Sequence, residues 1–394
     1  MGENETIQRL EGYSVMKHVR FMWISAVVVA IIYIVALLSV RVGSMANVQQ
    51  SQYEHWKEHY VVPKTKNQSF VNTSNDPNNP VALSEGQGYG LYLTAVAGAR
   101  GWAEQQDFDR LLNYYLENRD AVGERHTTET YLMQWRQYKR GQTWSSERNS
   151  ATDGDLYIAF SLHQASTVWP QRSSYYRAIE RRLTADILRY EYNSTTHTLT
   201  VGNWANEKSP YYNLLRTSDV IPNFFQAFYE FTHDSRWLTI KHAMLDRMVD
   251  LSDDHDTGLV PDFAWVTSTN ASAVQGKTVA TRYDGDYSSN ACRVPMMLAA
   301  SNDPRAQKVV RKLLRFFDQQ EVITAGYSLT GHQLNTYQSD SFTAPLVYAA
   351  SRDSHHTYDR ILAKKPGLLT EALHESSYYD ATLTAMAVME GMDK

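Results

Sequence analysis

Apolar residues recur at helical spacing over most of the chain. Phe108, Leu111, Leu112, Tyr115 and Leu116 fall at i, i+3, i+4, i+7 and i+8, and Val310, Leu313, Leu314 and Phe317 repeat that stripe 202 residues later as counted from Phe108 to Val310. Ile179, Leu183 and Ile187 mark a third stripe. Pro222 stands where the first turn of a helix tolerates proline, with Phe224, Phe225 and Phe228 following on a buried side. Strand-like runs are few and short: Leu199-Thr200-Val201 and Leu259-Val260 predict hairpins in loops, not a central sheet. The pattern predicts an all-α domain. One run departs from it. Phe21 through Val40 is twenty residues without a charge, which as a helix reaches ~30 Å, the thickness of a bilayer's hydrocarbon. Arg9, Lys17 and Arg20 precede it and favour a cytoplasmic N-terminus, against Arg41 at the far end. The run is longer than the apolar part of a signal peptide and Ser39-Val40-Arg41 is a poor cleavage site, so an uncleaved anchor is expected. The predicted organisation is a cytoplasmic segment 1–20, a transmembrane anchor 21–40, a linker 41–52 and one large extracytoplasmic domain 53–394.

Composition narrows the classes open to that domain. A net charge of −5 gives no reason to expect a nucleic-acid partner. Twenty-six tyrosines and nine tryptophans exceed the needs of a core and suit stacking on sugar rings, although packed helix faces take most of them. Cys292 is the only cysteine, so no intrachain disulfide forms and packing alone holds the fold. No HExxH or paired-cysteine spacing occurs and the thirteen histidines are scattered, so neither a metal nor another cofactor is expected.

The chemistry concentrates at two acidic, glycine-containing helix starts. Ser84-Glu85-Gly86-Gln87-Gly88-Tyr89-Gly90 places one carboxylate among three glycines, where a ligand could lie against the backbone. Ala151-Thr152-Asp153-Gly154-Asp155-Leu156-Tyr157-Ile158-Ala159 repeats the theme, with Asp153 lying 68 residues after Glu85. Together they resemble glycoside hydrolase family 8. Ser161, Leu162, Ala165 and Trp169 continue the second motif, and His163 departs from it. Leu132–Arg136, Arg216–Asp219, Pro261–Phe263, Asn290–Pro295 and Tyr378–Asp380 extend the resemblance over about residues 55–394. The resemblance implies an (α/α)6 toroid with short hairpin strands near the cleft, Glu85 as general acid, and Asp153 as the residue that holds the sugar at the cleavage point. Either aspartate of the second motif also suits a helix N-cap, the better explanation of Asp155.

Glycoside cleavage with inversion, as the family performs it, needs a proton for the leaving oxygen and a base that activates water, the two carboxyl groups standing ~6.5–9.5 Å apart. Glu85 therefore needs its pKa raised by burial and by the neighbouring charge of Asp153. The base is less legible, because Asn290 occupies the position where many members carry the aspartate base, and residues 266–289 hold no glutamate. Asp262 and Asp219 rank level as alternatives, ahead of Asp284 and Asp286, which sit in a turn-like Tyr-Asp-Gly-Asp-Tyr. By resemblance Trp135, Trp204, Tyr378 and Tyr379 stack on sugar, and Arg216 and Arg293 line the cleft. The expected function is a membrane-tethered endo-glycosidase acting on a β-linked polysaccharide, an exopolysaccharide leaving an adjacent synthase being the favoured substrate. A glycan-binding relative weakened by loss of the base, and an all-α scaffold whose acidic motifs only cap helices, are the alternatives.

Overall fold

The computed structural model describes residues 23–25, 27–31, 34, 45–123, 126–353, 357–373 and 375–391. It divides into two units, residues 1–49 and 50–394. In the first, the described residues are helical, and Trp23, Ile24 and Val29 are exposed. Among the described residues no helix is long and apolar enough to cross a membrane. All of segment 1–20 and more than half of the anchor predicted over 21–40 lie outside the described residues.

The second unit is a ring of helices. In chain order the helices are α1 (45–60, so that the segment 41–52 expected to be a linker is helical from residue 45), α2 (Ser84–Ala99), α3 (Gln105–Glu117), α4 (Thr152–Val168), α5 (Ser173–Tyr190), α6 (Pro222–Thr232), α7 (Arg236–Asp253), α8 (Val294–Ala299), α9 (Pro304–Asp318), α10 (Asp340–Ser351), α11 (Asp359–Leu362), α12 (Lys365–Thr370) and α13 (Tyr378–Met389). Helix α2 packs on α4, α4 on α6, α8 on α10, α10 on α13, and α13 returns to α2; between α6 and α8 the ring is completed by Asn223, which donates to the Ala300 carbonyl at 3.0 Å. Outside it α3 backs α2, α5 backs α4, α7 backs α6 and α9 backs α8. Helix α1 joins the last helix to the first, with Trp56 donating to Thr382 Oγ1 of α13 at 2.9 Å and Tyr53 to Thr94 Oγ1 of α2 at 3.5 Å.

The two layers differ in how they bury side chains. Of the fifteen residues of α9 six are buried, among them Val309, Val310, Leu313, Leu314 and Phe317 on a single face. Burial of each such side chain contributes about 1.5–3 kcal/mol. Of the twelve residues of α10 eleven are buried, on all sides. The stripes over α3, α5, α6 and α9 lie as their spacing predicts, with Leu116 only half-buried. His163, the departure in the second motif, pairs with the wholly buried Glu180 of α5 at 2.9 Å.

The motif glycines serve packing, which differs from the expectation of a ligand lying against them. A Cβ on Gly154 would stand 2.5 Å from Ser84 Oγ and 2.6 Å from the Ser84 carbonyl carbon, and one on Gly88 would stand 2.7 Å from Tyr157 Cβ. Real side-chain atoms do not approach so closely, so α2 and α4 touch backbone to backbone only because both positions are glycine. That contact brings the first turns of the two helices, and so Glu85 and Asp153, side by side.

Strands are more numerous than the sequence suggested, though all are short. In chain order they are β1 (Val61–Thr65), β2 (Gln68–Val71), β3 (Val81–Leu83), β4 (Arg119–Val122), β5 (Thr128–Met133), β6 (Arg136–Arg140), β7 (Thr143–Glu147), β8 (Tyr192–Asn193), β9 (Thr198–Leu199), β10 (Leu214–Arg216), β11 (Phe263–Val266) and β12 (Ala271–Ala273). All described pairings are antiparallel. Leu199 lies in a hairpin as predicted, but Leu259-Val260 is irregular chain and the strand follows at Phe263. In β10–β11–β12 Arg216 lies opposite Phe263, and the next residue, Thr217, donates its N–H to the Asp262 carbonyl at 3.1 Å.

Candidate active site

Glu85 and Asp153 are each the second residue of their helix, and neither helix has a side-chain cap. Asp153 accepts one local backbone bond, from Gly154 N–H at 2.9 Å. Its other oxygen turns to two arginines. Arg216 Nη1 stands 2.6 Å and Arg293 Nη1 3.3 Å from Asp153 Oδ2. Arg293 Nη1 also lies 3.1 Å from Glu85 Oε2 and donates to Tyr89 Oη at 2.8 Å. Asp153 thus anchors a cationic cluster and does not cap α4. The site also gathers Asp219, whose Oδ1 lies 3.6 Å from Arg216 Nη1.

Burial gives these carboxyl groups different protonation behaviour. The Glu85 carboxyl is pushed up to about 7 by burial and by the adjacent Asp153, against the pull of Arg293 and Arg216. Its side chain keeps 19% of its exposure, so a ligand can reach it. Burial pushes Asp153 the other way from its net state: Arg216 and Arg293 outweigh the desolvation and hold it below the usual carboxylate range. Asp219 rises to about 7 through burial, opposed by Arg216 and reinforced by Asp153 and Glu85. Both of its oxygens are buried without a hydrogen-bond partner, as is the hydroxyl of Ser218. Two neighbouring carboxyl groups with environments that separate their pKa values are the pattern of an acid and its ionised partner.

The remaining carboxylates are occupied differently. Asp262 Oδ1 accepts N–H bonds from Ser288 (3.0 Å), Asn290 (3.0 Å) and Ala291 (2.7 Å), and Oδ2 accepts from the Asn290 amide at 3.3 Å. Burial raises it to about 7 against those bonds. Asp262 therefore organises the loop before Arg293. The Asn290 amide bridges the two, its Oδ1 accepting from Arg293 Nη2 at 2.7 Å. Asp284 holds the N–H groups of Val279, Ala280 and Thr281 at 2.6, 2.9 and 2.8 Å and is a turn residue. Asp286 is half-buried, and burial raises its carboxyl.

The predicted aromatic residues fall in unlike places. Trp135 is half-buried, and its carbonyl accepts the Ser84 N–H at 2.9 Å, one residue from Glu85. Trp204 is half-buried against Val201, Leu214 and Phe263 with Tyr211 beside it. Tyr379 is half-buried and its hydroxyl donates to the Ser289 carbonyl. Tyr378 is 6% exposed, with its hydroxyl filling the space that Gly86 leaves. It supports the Glu85 turn from beneath and does not present a ring face. Tyr89 was not singled out by sequence, yet it lies one turn after Glu85 on the same face and binds Arg293; the i+4 spacing from the acid was the available signal. Glu191, wholly buried behind α4, had no such signal.

Comparisons with known proteins identify the family and the fold. The sequence profile of the glycosyl hydrolases family 8 matches residues 25–392. A β-glucanase of Niallia circulans is 26% identical over 363 residues, 89% of this chain and 85% of its own. An endoglucanase of Bacillus sp. strain KSM-330 is 25% identical over 333 residues, 79% of this chain and 69% of its own. Among solved structures, the apo form of a β-1,3-1,4-glucanase from Paenibacillus sp. X4 superposes with a TM-score of 0.78 at 22% identity, covering 88% of this chain and 92% of that one. A closed ring of helices with paired carboxylates at its inner helix starts, and a family profile that spans nearly the whole chain, identify this protein as a glycoside hydrolase of family 8.

Proposed function

We propose that the protein is an inverting endo-glycosidase of β-linked polysaccharide in which Glu85 is the general acid and Asp219 the general base. The observation that carries this reading is the contrast between Glu85, raised to about 7, and Asp153 beside it, held ionised by Arg216 and Arg293. Protonated Glu85 donates to the departing glycosidic oxygen as the bond to the anomeric carbon breaks. Asp219 takes a proton from water, whose oxygen attacks that carbon from the opposite face. Asp153, with Arg216 and Arg293 fixing it, accepts hydroxyl bonds from the sugar and stabilises the distorted ring. Trp135, Trp204 and Tyr379 supply stacking surfaces; Tyr378 acts only through the turn it supports.

Asp219 is favoured over Asp262 because a base needs a free lone pair for water. Both Asp219 oxygens lack hydrogen-bond partners, whereas Asp262 is filled by three backbone N–H groups and an amide. A buried carboxylate whose one neighbour is an arginine at 3.6 Å, with no hydrogen-bond donor on either oxygen, calls for water or substrate at that point. The glucanase names of the relatives support a β-glucan as the substrate class. The uncharged run Phe21–Val40, preceded by Lys17 and Arg20 and with exposed Trp23, Ile24 and Val29, supports a membrane anchor that tethers the domain outside the membrane, where an exopolysaccharide leaving its synthase is the natural substrate.

The test is release of reducing ends from mixed-linked β-glucan, carboxymethyl cellulose, xylan, chitosan and the host's exopolysaccharide, with starch alongside. Proton NMR of the first products reads anomeric inversion, and carbonate washing of membranes from cells making the full chain reads anchoring. Cleavage restricted to starch would overturn the substrate class. Binding without any release of reducing ends would favour the weakened glycan-binding alternative that Asn290 raises.

A further inference from the structure

Behind the site lie two acids that the proposed chemistry does not use. Asp155, in the first turn of α4, and Glu191, just past the end of α5, are both 0% exposed. Asp155 Oδ1 accepts the Met133 N–H at 2.8 Å, and Glu191 Oε1 accepts the Ser150 hydroxyl. The two acids act on each other, and the second oxygen of each, Asp155 Oδ2 and Glu191 Oε2, is buried without a hydrogen-bond donor. Two carboxylates offer only acceptors, so a hydrogen bond between them requires a proton.

None of the groups that act most strongly on the pair is a cation. Asp153 on α4 and Asp219 after β10 are both acids. From α3 the group that faces Asp155 is the Tyr115 phenol, and from the α4 start Ser150 and Thr152 supply hydroxyls. Doubly ionised, the pair would hold two like charges in contact in a dry interior.

Its location gives the pair a task. Met133 ends β5 two residues before Trp135, and Ser150 precedes α4 by two residues. Ser150 Oγ also accepts the Asn203 N–H at 3.1 Å, one residue before Trp204, and Thr152 Oγ1 donates to the Thr200 carbonyl at 2.7 Å. The segments carrying Trp135, Asp153 and Trp204 therefore converge on these two acids. We infer that Asp155 and Glu191 form a carboxyl pair sharing one proton, which positions the first turn of α4, and Asp153 with it, for the glycosidase reaction. They are positioning residues, and the inference rests on the reading of Asp153 as the residue that holds sugar.

The experiment compares the full-length protein with Glu191→Gln and Glu191→Ala. The assays are thermal unfolding from pH 5 to pH 9 and kcat and KM on mixed-linked β-glucan over the same range. Glutamine can donate to Asp155, so it keeps a hydrogen bond there while removing one of the two titrating carboxyl groups. The Glu191 carboxyl is pushed up to about 8, chiefly by burial. A raised folded pKa means stability that is present at low pH and lost as pH rises through that value. The wild-type Tm should therefore fall between pH 5 and pH 8 more than that of Glu191→Gln. Glu191→Ala should lose about tenfold to a hundredfold in kcat/KM through displacement of Asp153, with Glu191→Gln restoring most of it. Equal pH slopes for wild type and Glu191→Gln would overturn the shared proton. Wild-type kcat/KM in folded Glu191→Ala would overturn the positioning role. The unfolding arm reads the pair whether or not Asp153 holds sugar, so failure of that assignment shows only in the kinetic arm.

Discussion

Replacing Glu85 by glutamine tests the electrostatics and the chemistry in one variant. The Glu85 carboxyl stands at about 7 in the folded protein against an ordinary 4.5, because burial and Asp153 outweigh Arg293 and Arg216. A rise of that size corresponds to about 3 kcal/mol of folding free energy. The folded state binds the proton more tightly, so this contribution is complete below about pH 4.5 and is lost as pH climbs through about 7. Glutamine does not titrate. The stability of Glu85→Gln relative to wild type should therefore rise by up to ~3 kcal/mol from pH 4 to pH 8, a relative gain in Tm of up to about 4 °C for a domain of this size. Urea or thermal unfolding at four or five pH values measures this. In parallel the variant should lose about 10²–10⁴ in turnover on β-glucan, as expected for removal of a general acid, while still binding oligosaccharide. Wild-type turnover on an unactivated substrate, or a stability difference independent of pH, would refute the assignment of the raised, proton-donating carboxyl to Glu85.

Asp219→Asn should nearly stop hydrolysis of polysaccharide, and added azide should restore cleavage as a glycosyl azide detectable by mass spectrometry; normal turnover would move the base elsewhere. Asp262→Asn should cleave at a rate much closer to wild type but lose about 1–3 kcal/mol in urea unfolding, because its backbone N–H partners lose a charged acceptor. Asn290→Asp should not raise the rate, since it sets a second carboxylate against Asp262 where the amide now donates at 3.3 Å, and its Tm should fall more than that of wild type between pH 5 and pH 8. A faster Asn290→Asp enzyme would instead mark this chain as one that lost its usual base. Gly154→Ala places a methyl 2.5 Å from Ser84 Oγ, so it should cost about 1–3 kcal/mol and lower kcat by parting α2 from α4; an unchanged Tm would contradict the close packing.

Sequence alone determined three outer helices, α3, α5 and α9, the inner helix α6 and the two acidic motifs. The stripes over α3, α5, α6 and α9 were legible because a helix with one face to solvent must alternate apolar and polar residues at helical spacing. Inner helices such as α10 and α13 are buried on nearly all sides, so they carry no alternation: the start of α13 was readable only through resemblance, and α10 not at all. The short strands were undercounted for a related reason: two to six residues hold too little alternation to signal themselves. Glu85 and Asp153 stood out because acid beside glycine makes poor core, yet what the glycines do was misread. Their role depends on Ser84 and Tyr157, side chains from the facing helix that no local window contains. Tertiary structure likewise separated Asp219 from Asp262, which looked alike in sequence. One has buried oxygens left open and the other has them filled by the loop at 288–291. The Asp155–Glu191 contact was invisible for the same reason. A residue's type is local, but whether its charge meets a cation, an amide or another acid is set by partners tens to hundreds of residues away, and only the closed ring of helices brings them within reach.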